Sequence, residues 1–439
     1  LSGMAEPSGI INFADVKPAI LWKSFFQDDV QEIQWDDGPV YPDDAGDRYF
    51  LLYRDRAKID KTKKNEKEIV AQADKYIEIL KEESKDREGL FSGVKKADEI
   101  HNIPGMVLDR NFYYVNRGDF DSIYLVGDLH GSKLAFKKAL KKANFFEAVK
   151  DRPGKILLVF LGDFIDRGEE SLWVLFHALK LKNTFPKNVI LLRGNHEFFV
   201  NNKDGGIRNS ASPADLFEHV GAARVAGKAE EIGAAGLTGL ETLYSETFTK
   251  SIFGDLFKRM PTAAFIVGQK TILAAHSGFP RPDVNVEWEL LKETEFDYFK
   301  LKRAHPEKAD RYTGTSTIGE LNGAGTMEDL VWTELTREKY RDSRGGGTRK
   351  EICTYCQANF MDKFGIQAVI RGHDHPEKGV DQVRIMDGGF DVYTVFTAGG
   401  FADIYLEYKK HKAGLVMIDP QENIVPIMIK GGGNGPDVD

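Results

Sequence analysis

Residues 156–168 read Ile-Leu-Leu-Val-Phe-Leu-Gly-Asp-Phe-Ile-Asp-Arg-Gly, an unbroken apolar run followed by a short polar block. A continuous apolar run of this length indicates a strand that is buried on both faces. Asp163 comes directly behind the run, and ligands of open α/β sheets bind outside the carboxyl ends of the strands. This stretch therefore predicts a buried strand that carries a functional carboxylate at its end.

Four further polar blocks occur along the chain, so that there are five in all, and four of the five stand directly behind apolar runs typical of strands. Their side chains are carboxylates, amides and imidazoles, which are ligands of divalent metals. Together the five blocks predict a two-metal hydrolytic centre. The four further blocks are Gly127-Asp128-Leu129-His130-Gly131, Arg193-Gly194-Asn195-His196-Glu197, His276-Ser277-Gly278 and Arg371-Gly372-His373-Asp374-His375.

The blocks divide into two sets of ligands that share one residue. Asp128 and His130 are two positions apart, so in an extended segment both side chains point the same way. A carboxylate has two oxygens, and Asp163 can therefore bridge two cations. Mixed nitrogen and oxygen ligands suit Mn, Fe or Zn better than Ca or an all-oxygen Mg site, and they do not select among the three. The first set is Asp128, His130 and Asp163; the second is Asp163, Asn195, His276 and His373.

From Asp121 onward, apolar runs alternate with helical patterns. Strands buried on both faces require helices that cover one sheet, or two sheets packed together, which indicates an α/β (α+β) fold. Helices are expected at 134–149 and 171–182. Strands are expected at 123–126, 156–161, 189–192, 265–267, 271–275, 367–370, 392–396, 414–418 and 424–429.

The N-terminal part differs from the rest, and we predict an extension over residues 1–118 and a catalytic domain over 119–432. A charged segment from Ala57 to Asp86 has a helical apolar stripe, namely Ile69, Ala73, Tyr76, Ile77 and Leu80. The extension is either a segment laid against the main domain or a regulatory element that binds a partner. Insertions at 201–245 and 281–326 are either substrate or partner surfaces or structural decoration.

Composition excludes several classes of protein. A hydrophobic fraction of 41% and a charged fraction of 29% are ordinary for a globular protein. The net charge of -8 argues against nucleic acid as the main partner, since phosphate backbones require basic surfaces. No apolar run reaches the ~18 residues of a membrane span. Cys353 and Cys356 cannot complete a zinc site from thiolates alone. So few cysteines suit a reducing compartment, and the sequence shows no signal segment, so we expect the protein in the cytoplasm or the nucleus.

As a set, the five blocks resemble the signature of the calcineurin-like metallophosphoesterases. The blocks at 162–168 and 193–197 resemble in particular the PPP family of serine/threonine protein phosphatases. The resemblance covers roughly residues 123–429. It implies two packed mixed β-sheets flanked by helices, with a dinuclear metal site at the strand ends. It also implies hydrolysis of a phosphomonoester by a hydroxide that bridges the two metals.

The resemblance also implies roles for residues that are not metal ligands. Arg167 would grip the phosphate oxygens, with Arg344 as the second clamp; Arg341 and Arg349 lie close to Arg344 in the chain. Asn195 and His196 would also contact the substrate. His196 would be the general acid that protonates the leaving oxygen, and Asp166 would fix the orientation of its ring. His375 is either an extra ligand of the first metal, as in the wider superfamily, or a surface residue.

Departures from the family pattern bear on the substrate. Thr397 to Phe401 stands where the family has a tyrosine near the phosphate, so toxin sensitivity does not follow from the resemblance. The Glu after His196 favours a phosphoprotein over a dinucleoside polyphosphate or another phosphometabolite, whose hydrolases often have Asp there. A nuclease disagrees with the acidic net charge, and an inactive metal-binding scaffold disagrees with the full ligand set. The prediction is a phosphoprotein phosphatase.

Overall fold

The computed structural model describes residues 25–26, 56–100, 103, 105–168, 170–197, 199–201, 207–209, 245–278, 333–336, 350–353, 358–385, 390–404 and 408–430. Three of the sequence predictions fall outside these residues, wholly or mostly. They are Arg344 with its neighbours Arg341 and Arg349, the insertion at 281–326, and most of the insertion at 201–245.

The described chain contains seven α-helices and sixteen strands. Among these helices, none has both the length and the apolar character required to cross a bilayer. A π-helix covers Lys250–Leu256, and short 3-10 turns occur at Ala97–Glu99 and Arg117–Asp119. The helices are α1 (Arg56–Ser84), α2 (Lys133–Lys142), α3 (Phe145–Asp151), α4 (Ser171–Thr184), α5 (Glu246–Thr249), α6 (Phe257–Arg259) and α7 (Ala358–Lys363). The strands are β1 (Met106–Asp109), β2 (Phe112–Asn116), β3 (Ser122–Val126), β4 (Ile156–Phe160), β5 (Val189–Leu191), β6 (Phe199–Asn201), β7 (Ile207–Asn209), β8 (Ala263–Val267), β9 (Thr271–Ala275), β10 (Thr333–Thr336), β11 (Lys350–Cys353), β12 (Ile366–Arg371), β13 (Val380–Ile385), β14 (Phe390–Val395), β15 (Ala413–Ile418) and β16 (Ile424–Ile429).

Two large mixed sheets form the body of the molecule, which confirms the predicted fold class. The first has seven strands in the order β1-β2-β8-β9-β12-β14-β13, and the second has five in the order β16-β15-β3-β4-β5. Parallel pairs join β2 to β8, β3 to β4, β4 to β5, β9 to β12 and β12 to β14, and antiparallel pairs complete both sheets. The five polar blocks begin at the carboxyl ends of β3, β4, β5, β9 and β12.

Alternate residues of the seven-stranded sheet belong to two different hydrophobic clusters. Ala264 and Ile266 of β8 belong to the large cluster that also includes β3, β4 and the helices α2 to α4. Phe265, between them, belongs to a smaller cluster that includes Phe91 and Phe364. Because successive side chains of a strand point to opposite faces, the seven-stranded sheet is covered on both sides.

Strands β1 and β2 were not predicted, and they extend the seven-stranded sheet at one edge. They form an antiparallel hairpin in which Asp109 pairs with Phe112, and β2 continues parallel to β8. Arg110 in the turn has a φ of 57°, a conformation unusual for a residue other than glycine. The predicted division into 1–118 and 119–432 stays a prediction, although both strands precede residue 118 and pair within the main sheet.

Helix α1 lies against the body of the protein through its predicted stripe. All five stripe residues are buried, with Ala73 and Tyr76 at 0% exposure. The Tyr76 hydroxyl donates to the Leu191 carbonyl of β5 at 3.3 Å. Lys182 of α4, itself fully buried, forms an ion pair with Glu83 at 2.6 Å. The helix therefore contributes to the same core as β5 and α4.

The helix predicted over 134–149 is interrupted. Its predicted apolar face is buried, but Asn144 adopts a left-handed conformation with a φ of 49° and separates α2 from α3. Asn tolerates this conformation better than most residues, because its short side chain can hydrogen-bond locally. The helical periodicity continues across the break, so it did not reveal the interruption.

Candidate metal centre

The predicted ligands come together where the two sheets meet. Asp128, Asp163 and Asn195 follow β3, β4 and β5 of the five-stranded sheet, whereas His276 and His373 follow β9 and β12 of the seven-stranded sheet. A bridge between Asp128 and Phe396 connects the loop after β3 to the loop after β14. The site is thus formed from the strand ends of both sheets.

One group of donors consists of Asp128, His130 and His375. One donor atom from each lies within 4.8 Å of the others. Nε2 of His375 lies 3.3 Å from Oδ2 of Asp128, and Nε2 of His130 lies 3.7 Å from the same oxygen. The His375 side chain is only 16% exposed. His375 therefore lies in the site beside the first predicted ligand set.

A second group of donors surrounds the amide oxygen of Asn195. This oxygen lies 2.7 Å from Nε2 of His276 and 2.8 Å from Nδ1 of His373. Nε2 of His276 also lies 3.2 Å from Oδ2 of Asp163. The four residues predicted to form the second set are adjacent in the structure.

The carboxylate of Asp163 lies between the two groups. Its Oδ2 is 3.6 Å from Nε2 of His130 and 3.2 Å from Nε2 of His276. The carboxylate belongs to two clusters that could hold a metal ion, one with His130 and His196 and the other with Asp128 and His276. The distances are those expected of a residue that can serve two cations.

Backbone carbonyls orient two of the imidazole rings. Nδ1 of His130 lies 3.0 Å from the Ile165 carbonyl, and Nδ1 of His276 lies 3.0 Å from the Leu161 carbonyl. A carbonyl can only accept, so each Nδ1 carries the hydrogen and donates it. In a neutral ring, Nε2 is then the nitrogen that carries the lone pair and could bind a cation. Such an arrangement is typical of metal-ligating histidines.

The two histidines have opposite pKa shifts. Burial and the positive charge of Arg167 hold the pKa of His130 well below its usual value. Burial also disfavours the charged form of His276, but the carboxylates of Asp163 and Asp128 outweigh it and raise the pKa of His276 to about 9. Burial similarly opposes ionisation of Asp128, yet its contact with His375 and the charge of His276 lower the Asp128 pKa overall.

His196 and Asp166 form a buried pair next to Asp163. Nδ1 of His196 contacts Oδ2 of Asp166, and the two residues are 3% and 1% exposed. Nε2 of His196 lies 3.9 Å from Oδ2 of Asp163. The carboxylate of Asp166 therefore sets the ring orientation, and the opposite nitrogen of the ring faces the space between the donor groups.

Arg167 lies beside the first donor group. Its Nη1 is 3.0 Å from Nε2 of His130 and 3.1 Å from Nε2 of His375. The same nitrogen donates to the Tyr408 hydroxyl at 3.3 Å. The sequence analysis did not identify Tyr408, which lies on the connection between β14 and β15, as does the stretch from Thr397 to Phe401. No local motif marks Tyr408 in the sequence. Its place in the site becomes visible only in the structure, where the connection after β14 passes beside Arg167.

Glu197 is a second residue whose role was not predicted. Its carboxylate accepts hydrogen bonds from the backbone N–H groups of Asp163, Phe164 and Gly194 at 2.8, 2.8 and 2.9 Å. Burial and the charge of Asp163 raise the pKa of Glu197 to about 8, and these N–H donors act against that rise. In the sequence, the signal that could have pointed to a role for Glu197 in the site is its position directly after His196.

Several site residues have left-handed backbones. Residues other than glycine seldom adopt this conformation, and such positions cluster at functional sites. The five residues are His130, Asp163, Asp166, Arg167 and His373, with φ values of 42°, 56°, 75°, 67° and 68°.

Comparison with known proteins was made for sequence and for structure. An uncharacterized protein of Caenorhabditis elegans is 42% identical over 79 residues, which is 17% of this chain and 31% of the relative. A probable serine/threonine-protein phosphatase of Encephalitozoon cuniculi is 25% identical over 278 residues, 63% of this chain and 46% of the relative. The chain thus spans less than half the length of either relative.

A solved structure of a Saccharomyces cerevisiae protein serine/threonine phosphatase, described as similar to human phosphatase PP5, aligns with 85% of this chain and 92% of its own. The sequence identity is 16% and the TM-score is 0.49. The family model for calcineurin-like phosphoesterases matches residues 122–377, which include all five polar blocks. The chain therefore belongs to the calcineurin-like phosphoesterase family.

Proposed function

We propose that this protein is a metal-dependent phosphomonoester hydrolase that acts on phosphoserine or phosphothreonine in proteins. The observation that carries the proposal is the position of Asp163. Its carboxylate lies within 3.6 Å of His130 on one side and 3.2 Å of His276 on the other. The buried pair of His196 and Asp166 stands next to it, so ligands and a proton donor share one site.

The donor atoms fit two divalent cations. Imidazole nitrogen, carboxylate and one amide oxygen form a mixture that suits Mn, Fe or Zn. Asp128, His130, His375 and Asp163 would hold one cation; Asp163, Asn195, His276 and His373 would hold the other. When bound, the two cations supply Lewis acidity that lowers the pKa of a shared water toward neutrality.

Arg167 would bind the phosphate group of the substrate. A guanidinium donates paired hydrogen bonds to phosphate oxygens, and Nη1 of Arg167 already lies at the edge of the first donor group. The Tyr408 hydroxyl, 3.3 Å away, holds the guanidinium on that side. Arg344 stays the predicted second clamp.

His196 would supply the proton that the leaving oxygen requires. Asp166 accepts from Nδ1 of His196 and stabilises the protonated ring, so the opposite nitrogen can donate toward the substrate. Burial of both side chains strengthens this interaction, because water does not screen it. Asn195, next to His196 in the chain, would contact the phosphate from the second donor group.

Two observations support a protein substrate over a small phosphoester. The Encephalitozoon cuniculi relative is named as a probable serine/threonine-protein phosphatase. The chain also has the Asp166-Arg167-Gly168 and His196-Glu197 forms that resemble protein phosphatases.

The direct test is hydrolysis of a panel of substrates by the metal-free protein reconstituted with Mn²⁺. We expect turnover of p-nitrophenyl phosphate and of phosphoserine and phosphothreonine peptides. A dinucleoside polyphosphate and bis-p-nitrophenyl phosphate should react much more slowly. Absence of monoester turnover with Mn²⁺, Fe²⁺ or Zn²⁺ would overturn the proposal, and faster cleavage of the polyphosphate would replace the substrate class.

The variant Asp163→Asn tests the shared ligand, because loss of the bridging carboxylate should remove both metals and activity together. Asp109→Asn is the matched control. Asp109 is also a buried carboxylate, 1% exposed, but it accepts backbone N–H groups of Phe91 and Ser92 away from the site. The folded Asp109→Asn variant should keep both metals and its rate of turnover.

A further inference from the structure

Glu197 connects the loop that carries Asp163 to the loop that carries Asn195. Oε2 accepts from the N–H of Asp163 at 2.8 Å and from the N–H of Gly194 at 2.9 Å, while Oε1 accepts from Phe164 at 2.8 Å. Asp163 lies on the loop after β4, and Gly194 immediately precedes Asn195 on the loop after β5. One fully buried side chain thus fixes the distance between two ligand-bearing loops.

The connection acts where the backbone is least free to choose its own conformation. Asp163 has a φ of 56°, and Gly162 before it has a φ of 104°. A left-handed non-glycine residue persists only where its surroundings determine it. The hydrogen bonds from Asp163 and Phe164 to Glu197 supply that constraint, and the N–H of His196 donates back to Oδ1 of Asp163 at 3.0 Å.

Close packing leaves little room for another arrangement. A Cβ atom on Gly194 would lie 2.1 Å from Oδ1 of Asp163 and 2.7 Å from Oε2 of Glu197. The two loops can therefore approach only with glycine at 194 and with a side chain at 197 that reaches both. At position 197, an Asp side chain would be one methylene shorter than Glu, and a Gln side chain would have an NH₂ donor in place of one acceptor oxygen.

We propose that Glu197 is a positioning residue of the metal centre, which holds Asp163 and Asn195 at the separation that two cations require. The proposal rests on the metal-dependent function proposed above. In this role Glu197 is not itself a ligand; it acts through the backbone N–H groups of Asp163 and of Gly194, the neighbour of Asn195.

The chain offers a matched control. Glu422 is also a buried carboxylate, 8% exposed, that accepts two turn N–H groups, from Gln269 and Lys270, each at 2.8 Å. That turn joins β8 to β9 and lies at the end of β9 opposite His276. Glu197→Gln and Glu422→Gln therefore remove the same kind of interaction, at the site and away from it.

The experiment compares Mn²⁺ binding and thermal unfolding in metal-free wild type, Glu197→Gln, Glu197→Asp and Glu422→Gln. Both Gln variants should lower the unfolding temperature. Of the two Gln variants, only Glu197→Gln should weaken Mn²⁺ binding, by about 10- to 100-fold, which is typical for loss of a group that orients ligands. Glu197→Asp keeps both carboxyl oxygens and should also weaken binding, which separates the reach of the side chain from its hydrogen-bonding chemistry. Saturating Mn²⁺ should restore turnover of Glu197→Gln.

Unchanged Mn²⁺ affinity in folded Glu197→Gln would overturn the proposal. So would failure of both Glu197 variants to fold while Glu422→Gln folds, since Glu197 would then be a purely structural residue. Full affinity in Glu197→Asp with loss in Glu197→Gln would also overturn the proposal, because the carboxyl group and not the reach of the side chain would then matter. Wild-type protein that binds Mn²⁺ without hydrolysing any phosphomonoester would refute the proposed function and leave this comparison interpretable.

Discussion

At the scale of single residues, the two donor groups of the site differ in the protonation of their histidines. His130 contacts Arg167, and burial with that positive charge keeps its ring neutral. His276 contacts Asp163, and the carboxylates nearby keep its ring protonated to about pH 9. A cation requires a neutral nitrogen, so His276 must release a proton before it binds metal, whereas His130 need not.

This difference predicts the pH dependence of metal binding. Because the pKa of His276 in the metal-free protein is raised to about 9, a cation that binds the second set at lower pH displaces a proton. Affinity should therefore rise with pH, by up to about tenfold per pH unit, and level off above about pH 9. Titration calorimetry in buffers of different ionisation enthalpy measures the released proton directly. Binding of both cations without proton release near neutral pH would contradict the prediction.

The proposed acid role of His196 predicts a dependence on the leaving group. His196→Asn should keep both metals, since His196 is not among the proposed ligands. Turnover of a phosphoserine peptide should fall by about 10²–10⁴-fold, the usual contribution of a general acid. Turnover of p-nitrophenyl phosphate should fall much less, because p-nitrophenolate leaves without protonation. Metal content and the two rates are the measurements; an equal loss for both substrates would argue against the acid role.

At the scale of secondary-structure elements, helix α1 stabilises strand β5, which ends at the site. Tyr76 is fully buried and donates to Leu191, the last residue of β5. Four residues further on, the same chain segment provides Asn195. A helix that lies before the family match thus supports the position of a predicted ligand.

Tyr76→Ala should therefore destabilise the protein strongly. Loss of a buried aromatic side chain costs about 3–5 kcal/mol, whereas Tyr76→Phe removes only the hydrogen bond, worth about 1 kcal/mol. Glu78→Ala, on the exposed side of the same helix, should stay within about 0.5 kcal/mol of wild type. Urea unfolding of the four proteins gives these values, and equal stability of Tyr76→Ala and Glu78→Ala would show that α1 is not part of the core.

At the scale of the whole molecule, the two sheets are tightly packed against each other at the candidate metal centre. A Cβ atom on Gly127 would lie 2.1 Å from the Val395 carbonyl oxygen. The Gly127 N–H donates to Thr397 at 2.9 Å, and the Ala398 N–H donates to the Asp128 carbonyl at 3.0 Å. The contact between the sheets therefore includes the backbone of a predicted ligand.

Gly127→Ala should consequently affect stability and metal binding together. Forcing a methyl group into a packed position costs about 1–3 kcal/mol or more, and Asp128 must shift with its neighbour. Gly118→Ala is the control, since its Cβ would lie 3.3 Å from a side-chain atom of Asn116, outside the site. Calorimetric unfolding and Mn²⁺ titration test both effects, and a destabilised Gly127→Ala that binds Mn²⁺ normally would disprove the coupling.

The parts of the fold that the sequence predicted are those with a local signal. Strands β3, β4 and β9 are apolar runs followed by polar blocks, and the structure has them within a residue or so of the predicted bounds. The hairpin of β1 and β2 was missed because its turn, at Arg110 and Asn111, contains neither glycine nor proline. The break at Asn144 was missed because the helical period continues through it.

The amino-acid sequence is enough to identify the donor atoms and the strand end that carries each of them, because an apolar run and the block behind it are continuous in the chain. How the donors group depends instead on contacts between residues that are far apart in the chain. His375 lies 3.4 Å from His130 across 245 positions, and Tyr408 reaches Arg167 across 241. Such contacts depend on how two sheets pack, and no short pattern encodes that packing, because it results from the whole buried core.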